Sequence, residues 1–146
     1  WDDNYPDSHV FAEGECLRKT FDPDFMLYHT MAVDEWGHMK GADSAEYANA
    51  VAAVGHLIAA RMPEWLEKGY QVVVTADHGM NNLGIHVGTE HAQREVALYI
   101  FSDKVENGRF EENYISQLNV APLVCKLMGV PATEGMKQEL EIVFSK

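Results

Sequence analysis

The sequence predicts an α/β fold in which a largely parallel sheet carries helices on both faces. Two observations support this class. Apolar runs of strand type at residues 25–31 and 71–75 each end just before an acid and a histidine, and a helix-like pattern lies between the two runs. Strands that alternate with helices of this length require crossover connections, which place the strands in parallel.

The first half of the chain is predicted to hold two helices and one strand. A weakly periodic helix covers residues 9–20 and ends at the turn signal Asp22 and Pro23, after which the aromatic and apolar run 25–31 forms the strand. Ser44 can cap the second helix, because its hydroxyl can accept a hydrogen bond from the first helical turn. Apolar residues at helical spacing form one face of that helix: Tyr47, Val51, Val54 and Ile58.

The second half is predicted to hold two strands and a closing helix. Pro63 should end or kink the preceding helix, and Gly69 suits the position that follows a helix end. Valines and a threonine favour a buried strand at 71–75, and a further strand is predicted over 95–101. The last helix covers 118–128, with a proline in its first turn and a glycine after its end.

Composition limits the classes of partner. A hydrophobic fraction of 47% fits a folded protein, and a formal net charge of -12 disfavours binding to a nucleic acid polymer. Cys16 and Cys125 are too few for a disulfide framework and are predicted to be ordinary thiols. No apolar run has the length of a membrane span. Because the chain begins at Trp1, it is expected to be part of a longer protein.

Two acid and histidine pairs follow the first two predicted strands. Asp34 and His38 lie in the pattern D-x-x-G-H, in a predicted loop whose glycines permit a tight backbone path. Asp77 and His78 precede a glycine, and His86 follows His78 by eight residues in a glycine-flanked loop. Taken singly, each residue is more typical of a helix cap or a surface group. Together, carboxylates and imidazoles at neighbouring strand ends are typical ligands of zinc or a similar divalent ion.

These motifs resemble a known family. The run Thr-Ala-Asp-His-Gly-Met that starts at Thr75, the Gly-x-His that ends at His86 and the upstream D-x-x-G-H are similar to the alkaline phosphatase superfamily, in its type I phosphodiesterase/nucleotide pyrophosphatase branch. Residues 119–131 are similar to the closing helix and loop of that branch. The resemblance extends from residue 24 to about residue 131. It implies that residues 1–146 form the C-terminal part of a metal-dependent phosphodiesterase catalytic domain, with an incomplete alkaline-phosphatase-like fold.

The resemblance also implies a ligand set and a reaction. In such enzymes two divalent ions, usually zinc, lie side by side. One would be bound by Asp34, His38 and His86, and the other by Asp77 and His78 together with an upstream aspartate and a nucleophilic Thr or Ser. The implied activity is hydrolysis of a small-molecule phosphate ester, either a phosphodiester or a nucleotide pyrophosphate, through attack of that hydroxyl on phosphorus.

One departure from the family decides what the chain can do alone. Nothing in residues 1–24 resembles the strand that should carry the first aspartate and the nucleophile, so both are expected in a missing N-terminal part of the same domain. No catalytic nucleophile is therefore assigned to this chain. We expect the isolated chain to bind one zinc ion through its complete site without hydrolysing phosphodiesters.

Several alternatives remain open at this stage. Val87 stands where the family often has a glycine, so His91 is a rival to His86 as the third ligand. The function could belong to another branch of the superfamily, namely a phosphomonoesterase, a phosphoethanolamine transferase or a phosphomutase. A non-catalytic domain whose metal ligands only stabilise the fold is the alternative from a different class.

Overall fold

The computed structural model of the chain describes residues 5–108, 114–136, 140 and 142–145. Within these ranges, six α-helices, one 3-10 helix and two strands follow one another along the sequence. They are α1 (Asp7–Phe21), α2 (Ala32–Lys40), α3 (Ala45–Ala59), α4 (Met62–Glu67), β1 (Val72–Thr75), α5 (His91–Arg94), β2 (Leu98–Phe101), the 3-10 helix Gln117–Asn119 and α6 (Val120–Met128).

The predicted mixed α/β class is confirmed. The described residues do not form the predicted largely parallel sheet with helices on both faces. Their sheet has only two strands, β1 and β2, which run antiparallel. The strand predicted over 25–31 is wrong, since these residues have no regular secondary structure. A strand needs a hydrogen-bonded neighbour, and no described segment pairs with residues 25–31. The pattern of residues 25–31 does not show whether another strand pairs with them.

The contacts divide the chain into two compact units. The first comprises Trp1–Glu64 and Thr75–Ala97, and the second comprises Trp65–Val74 and Leu98–Lys146. All five predicted metal ligands belong to the first unit.

In the first unit, one face of α1 packs against residues 25–31. Phe11 is buried, and its ring stacks on that of Tyr28 with 5.1 Å between centroids. Helix α3 packs against α1 and α2. The predicted cap of α3 is confirmed, because the Ser44 side chain accepts a hydrogen bond from the backbone N–H of Tyr47 at 3.1 Å.

The core of the second unit lies where the sheet packs on α6. Leu123, Leu127 and Ile142 are buried there. Leu98 and Ile100 point from β2 toward this cluster, while the intervening Tyr99 and the terminal Phe101 are exposed. This alternation is the period of two that a strand imposes when one face is buried. The remaining partly buried members are Val73, Val105, Ile115, Leu140 and Phe144.

We expect Leu123→Ala to lower the free energy of unfolding of the second unit by about 3 kcal/mol, because it removes a fully buried side chain and leaves a cavity. Leu118→Ala is the matched control, since Leu118 lies at the start of the same region but is 73% exposed, and it should change stability by about 0.5 kcal/mol or less. Urea unfolding measures both. Equal losses in the two variants would contradict this assignment of the core.

Tyr28 should titrate unusually late. Its burial, the nearby negative charge of Glu15 and the 3.1 Å hydrogen bond from its hydroxyl to Glu15 raise the pKa of Tyr28 to about 12. Because the unfolded tyrosine has a pKa of about 10, Tyr28 contributes stability below that pH and loses the contribution as the pH rises toward 12. Ultraviolet titration should show one late tyrosine whose midpoint falls in Glu15→Gln. An unchanged midpoint in Glu15→Gln would show that Glu15 does not raise the pKa of Tyr28.

Candidate metal centre

Asp34 and His38 lie on a helix, where the sequence predicted a loop. They occupy positions four residues apart on α2, so their side chains share one face of the helix, and Asp34 Oδ2 lies 3.4 Å from His38 Nε2. The negative charge of Asp34 in the first turn suits the helix dipole. Gly37, which is buried, lets α2 approach Met80: a β carbon at Gly37 would lie only 2.8 Å from the Met80 methyl group.

The other three predicted ligands lie on the loop after β1. Asp77 and His78 come directly after the strand, and the loop then makes two close approaches that only glycine allows. A β carbon at Gly79 would lie 2.1 Å from the carbonyl oxygen of Ala92. Gly84 has a φ of 72°, and a β carbon there would lie 2.6 Å from the carbonyl oxygen of His38.

Asn81 closes this loop. Its Oδ1 accepts hydrogen bonds from the backbone N–H groups of Leu83 at 3.0 Å and Ile85 at 2.9 Å. The side chain thereby replaces backbone partners in the turn, as asparagine commonly does. The turn directs His86 back toward α2.

The structure brings all five predicted ligands into one cluster. Asp34 Oδ1 lies 3.8 Å from Nε2 of both His78 and His86. The rings of His78 and His86 are stacked with 3.8 Å between centroids, and His86 Nε2 lies 3.2 Å from His38 Nε2. Asp77 is the most exposed member, and its Oδ2 lies 3.5 Å from His78 Nε2.

Two of the histidines are oriented by backbone carbonyl groups. His38 Nδ1 lies 2.7 Å from the carbonyl oxygen of Gly84, and His78 Nδ1 lies 3.0 Å from that of Gly79. Because a carbonyl oxygen only accepts, each Nδ1 must carry the proton. In the neutral ring Nε2 then holds a lone pair that faces the cluster, which is the usual arrangement of a metal-binding histidine.

Asp34 provides a test of whether the cluster fits a cation. Its Oδ1 is buried and has no hydrogen-bond partner among the described residues. A buried carboxylate oxygen without a partner is costly unless a cation lies near it. Oxygen and nitrogen atoms of Asp34, His78 and His86 all lie within 4.8 Å of one another, so this group could hold a metal ion.

The grouping differs in detail from the one that the family resemblance implies. That resemblance assigns His38 to the same ion as Asp34 and His86, and it assigns His78 to the second ion. In the structure Asp34 is equally close to His78 and His86, and His38 contacts the cluster from the α2 side. The ligands that the resemblance assigns to two different ions therefore lie side by side in one cluster.

His86, rather than His91, is the histidine placed beside Asp34. His91 begins α5, and its Nδ1 pairs with Glu95 Oε2 at 3.0 Å, while its side chain is 80% exposed. Val87, which replaces a glycine of the family motif, is exposed and does not obstruct the turn.

Sequence reasoning missed Gln93 as a support of the ligand loop. Gln93 is buried, its Nε2 donates to the carbonyl oxygen of Ile85 at 3.1 Å, and its backbone carbonyl accepts from the N–H of Gly79 at 2.9 Å. It also forms a capping box with Glu90 at the start of α5. The E-x-x-Q spacing of a capping box was the signal available in the sequence.

Comparisons with known proteins identify the family. Residues 4–122 match the family described as type I phosphodiesterase/nucleotide pyrophosphatase. The catalytic subunit of GPI ethanolamine phosphate transferase 3 is 29% identical in human, over 77% of this chain and 10% of the relative, and 29% identical in mouse, over 94% of this chain and 13% of the relative. A 2,3-bisphosphoglycerate-independent phosphoglycerate mutase of Wolinella succinogenes is 31% identical over 80% of this chain and 23% of the relative.

The chain thus spans about a tenth of the length of the transferases that it resembles. No solved structure is significantly similar to it. Among the described helices, none has the length and apolar character needed to cross a bilayer. The resemblance inferred from the ligand motifs is confirmed by the family match over most of the sequence: the chain belongs to the type I phosphodiesterase/nucleotide pyrophosphatase family of the alkaline phosphatase superfamily, whose members process phosphoesters.

Proposed function

We propose that this chain supplies the metal-binding, C-terminal part of the catalytic domain of an ethanolamine phosphate transferase. The sequence motifs first favoured a phosphodiester hydrolase and kept the transferase as an alternative. The relatives support the alternative better, since GPI ethanolamine phosphate transferases of human, mouse and fission yeast resemble the chain over most of its length. A transferase and a hydrolase of this superfamily differ in whether an acceptor hydroxyl or water receives the phosphoryl group.

The observation that supports phosphoester chemistry most directly is the approach of His78 and His86 to the buried Oδ1 of Asp34, which has no hydrogen-bond partner among the described residues. The two other predicted ligands, His38 and Asp77, lie beside this group. The chain has a net charge of -12, which would repel an anionic phosphoester unless the site itself supplied positive charge. Bound cations are the usual source of such a centre in proteins.

In this proposal the cluster binds two divalent ions, and zinc best suits a mixed carboxylate and imidazole set. The group of Asp34, His78 and His86 supports a metal-binding role, and the division of ligands between two ions is the one that the family resemblance implies. Asp34, His38 and His86 would hold one ion, and Asp77 and His78 would contribute to the other. When bound, such ions stabilise negative charge on the oxygens of a phosphoryl group. The hydroxyl that attacks phosphorus is expected from another part of the full protein.

The chain's own contribution is orientation. The carbonyl groups of Gly79 and Gly84 hold the rings of His78 and His38 so that their Nε2 atoms face the centre. The ring of His86 stacks on that of His78 with 3.8 Å between centroids, which limits the rotation of both rings. A site whose ligands are held in place before binding loses less conformational entropy when an ion or substrate arrives.

The test is a transfer assay on the full gene product that contains this chain. With an ethanolamine phosphodiester as donor, the purified protein should transfer the ethanolamine phosphate group to a hydroxyl of a GPI-type glycolipid acceptor and release the alcohol of the donor. Mass spectrometry detects both products, and a chelator should abolish their formation. Asp77→Asn should also abolish it, while Asp43→Asn, a change of an exposed aspartate outside the cluster, should not. A full-length protein that binds zinc but transfers nothing would refute the proposal.

Hydrolysis of phosphodiesters is the second candidate, because the matching family is named for it. Release of nitrophenol from an aryl phosphodiester at a rate above that of transfer would favour this candidate. The isolated chain should bind one zinc ion and show neither activity, since no nucleophile is assigned within it. Chelator-sensitive hydrolysis by the isolated chain, lost in Asp77→Asn, would refute that expectation.

A further inference from the structure

A buried aspartate that precedes the ligand motifs in the sequence contacts the start of α2, the helix that carries Asp34 and His38. Asp7 lies in the first turn of α1 and is only 8% exposed. Its Oδ1 accepts a hydrogen bond from the backbone N–H of Met31 at 3.0 Å. Met31 is the N-cap residue of α2, and its own side chain makes no capping hydrogen bond.

We propose that Asp7 is a positioning residue for the candidate metal centre, which fixes the start of α2 by holding the N–H of Met31. This inference rests on the proposed function, because it concerns the ligands that α2 carries. Asp34 follows Met31 by three residues, so the hydrogen bond and the first ligand lie within one helical turn. A shift of the helix start would therefore move the carboxylate directly.

The rest of α1 holds Asp7 in place. The ring of Phe11, one turn after Asp7, stacks on Tyr28, and the Tyr28 hydroxyl donates to Glu15, one further turn along the helix. Residues 25–31 thus lie along α1 in the opposite direction and end at Asp7. The hydrogen bond between Asp7 and Met31 is the last of these contacts between α1 and residues 25–31, and it lies where α2 begins.

Burial of the Asp7 carboxylate has a cost that several interactions offset. Asp7 Oδ2 is buried and has no hydrogen-bond partner among the described residues, which makes burial of the group unfavourable. A negative charge is favourable in the first turn of α1, where Asp7 lies, and also near the N-terminal end of α2. The hydrogen bond to Met31 is the one interaction that ties this carboxylate directly to the start of α2.

Titration of the chain with Co²⁺, followed by its visible absorption bands, tests the inference. Asp7→Ala should lower the apparent Co²⁺ affinity by about tenfold and change the absorption spectrum, as loss of a group that orients ligands commonly does. Asp7→Asn should restore both, because the amide oxygen can accept the same hydrogen bond. Ser8→Ala is the matched control: it changes an exposed side chain next to Asp7 in the same turn of α1 and leaves both the packing of α1 and the Met31 contact in place. Its affinity should stay within about twofold of the wild type.

Wild-type affinity and spectrum in Asp7→Ala would overturn the positioning role, as would an Asp7→Asn variant as weak as Asp7→Ala. If Asp7→Ala does not fold, hydrogen exchange decides: the Met31 amide of the wild type should exchange slowly, and fast exchange would overturn the contact. A wild-type chain that takes up no Co²⁺ would instead overturn the proposed metal centre, and this inference with it.

Discussion

His86→Gln should lower the zinc affinity of the chain by at least about 100-fold, which exceeds the range of about 10- to 100-fold typical for loss of a group that only supports a ligand. The imidazole of His86 lies 3.8 Å from Asp34 Oδ1 and 3.2 Å from His38 Nε2, so its removal takes away a donor at the centre of the cluster. Glutamine keeps the polarity of the side chain but offers only a weak amide oxygen to the ion.

His91→Gln is the matched control for this prediction. His91 was the rival ligand by sequence, yet in the structure it pairs with Glu95 on an exposed helix, so its replacement should change the affinity by about twofold or less. Competition with a chromophoric chelator measures both variants under the same conditions. If His91→Gln lost zinc and His86→Gln kept it, the ligand loop would have to adopt a different path from the one seen here.

The side chains that meet in the cluster could be identified from the sequence because their signals are local. The sequence Asp-His-Gly, the D-x-x-G-H spacing and the glycine before His86 each combine a metal-binding side chain with a glycine within a few residues. The sheet could not be predicted in the same way. Residues 25–31 have the composition of a strand, but a strand depends on a partner that is distant in sequence, and none is paired with them in the described ranges.

The secondary structure of the first ligand motif was mispredicted for a related reason. Asp34 and His38 were expected in a loop because two glycines, Gly37 and Gly41, follow the first acid closely. In the structure Gly37 lies inside α2, where packing against Met80 compensates its low helix propensity, and only Gly41 ends the helix. Tertiary packing thus changed the local structure without changing which residues meet.

Replacing Arg18 by methionine should destabilise the first unit by about 3 kcal/mol, the lower end of the range for breaking a buried ion pair. Arg18 is only 5% exposed and donates to both carboxylate oxygens of Glu15 and to Glu64. Methionine fills much of the same space, so the loss comes mainly from the carboxylate of Glu15, which stays largely buried and keeps the hydroxyl of Tyr28 as a donor.

The double variant Arg18→Met with Glu15→Gln should recover at least about 1 kcal/mol of that loss, because it also removes the largely buried negative charge that Arg18 offsets in the wild type. The loss should also depend on pH. The hydrogen bond from Arg18 holds the pKa of Glu64 below its ordinary value, so this contribution is present above about pH 4 and disappears as the pH falls through the lowered pKa. Urea unfolding at neutral and acidic pH should therefore show a smaller difference between wild type and Arg18→Met in acid. A double variant less stable than the single one would mean that Arg18 acts through packing rather than charge.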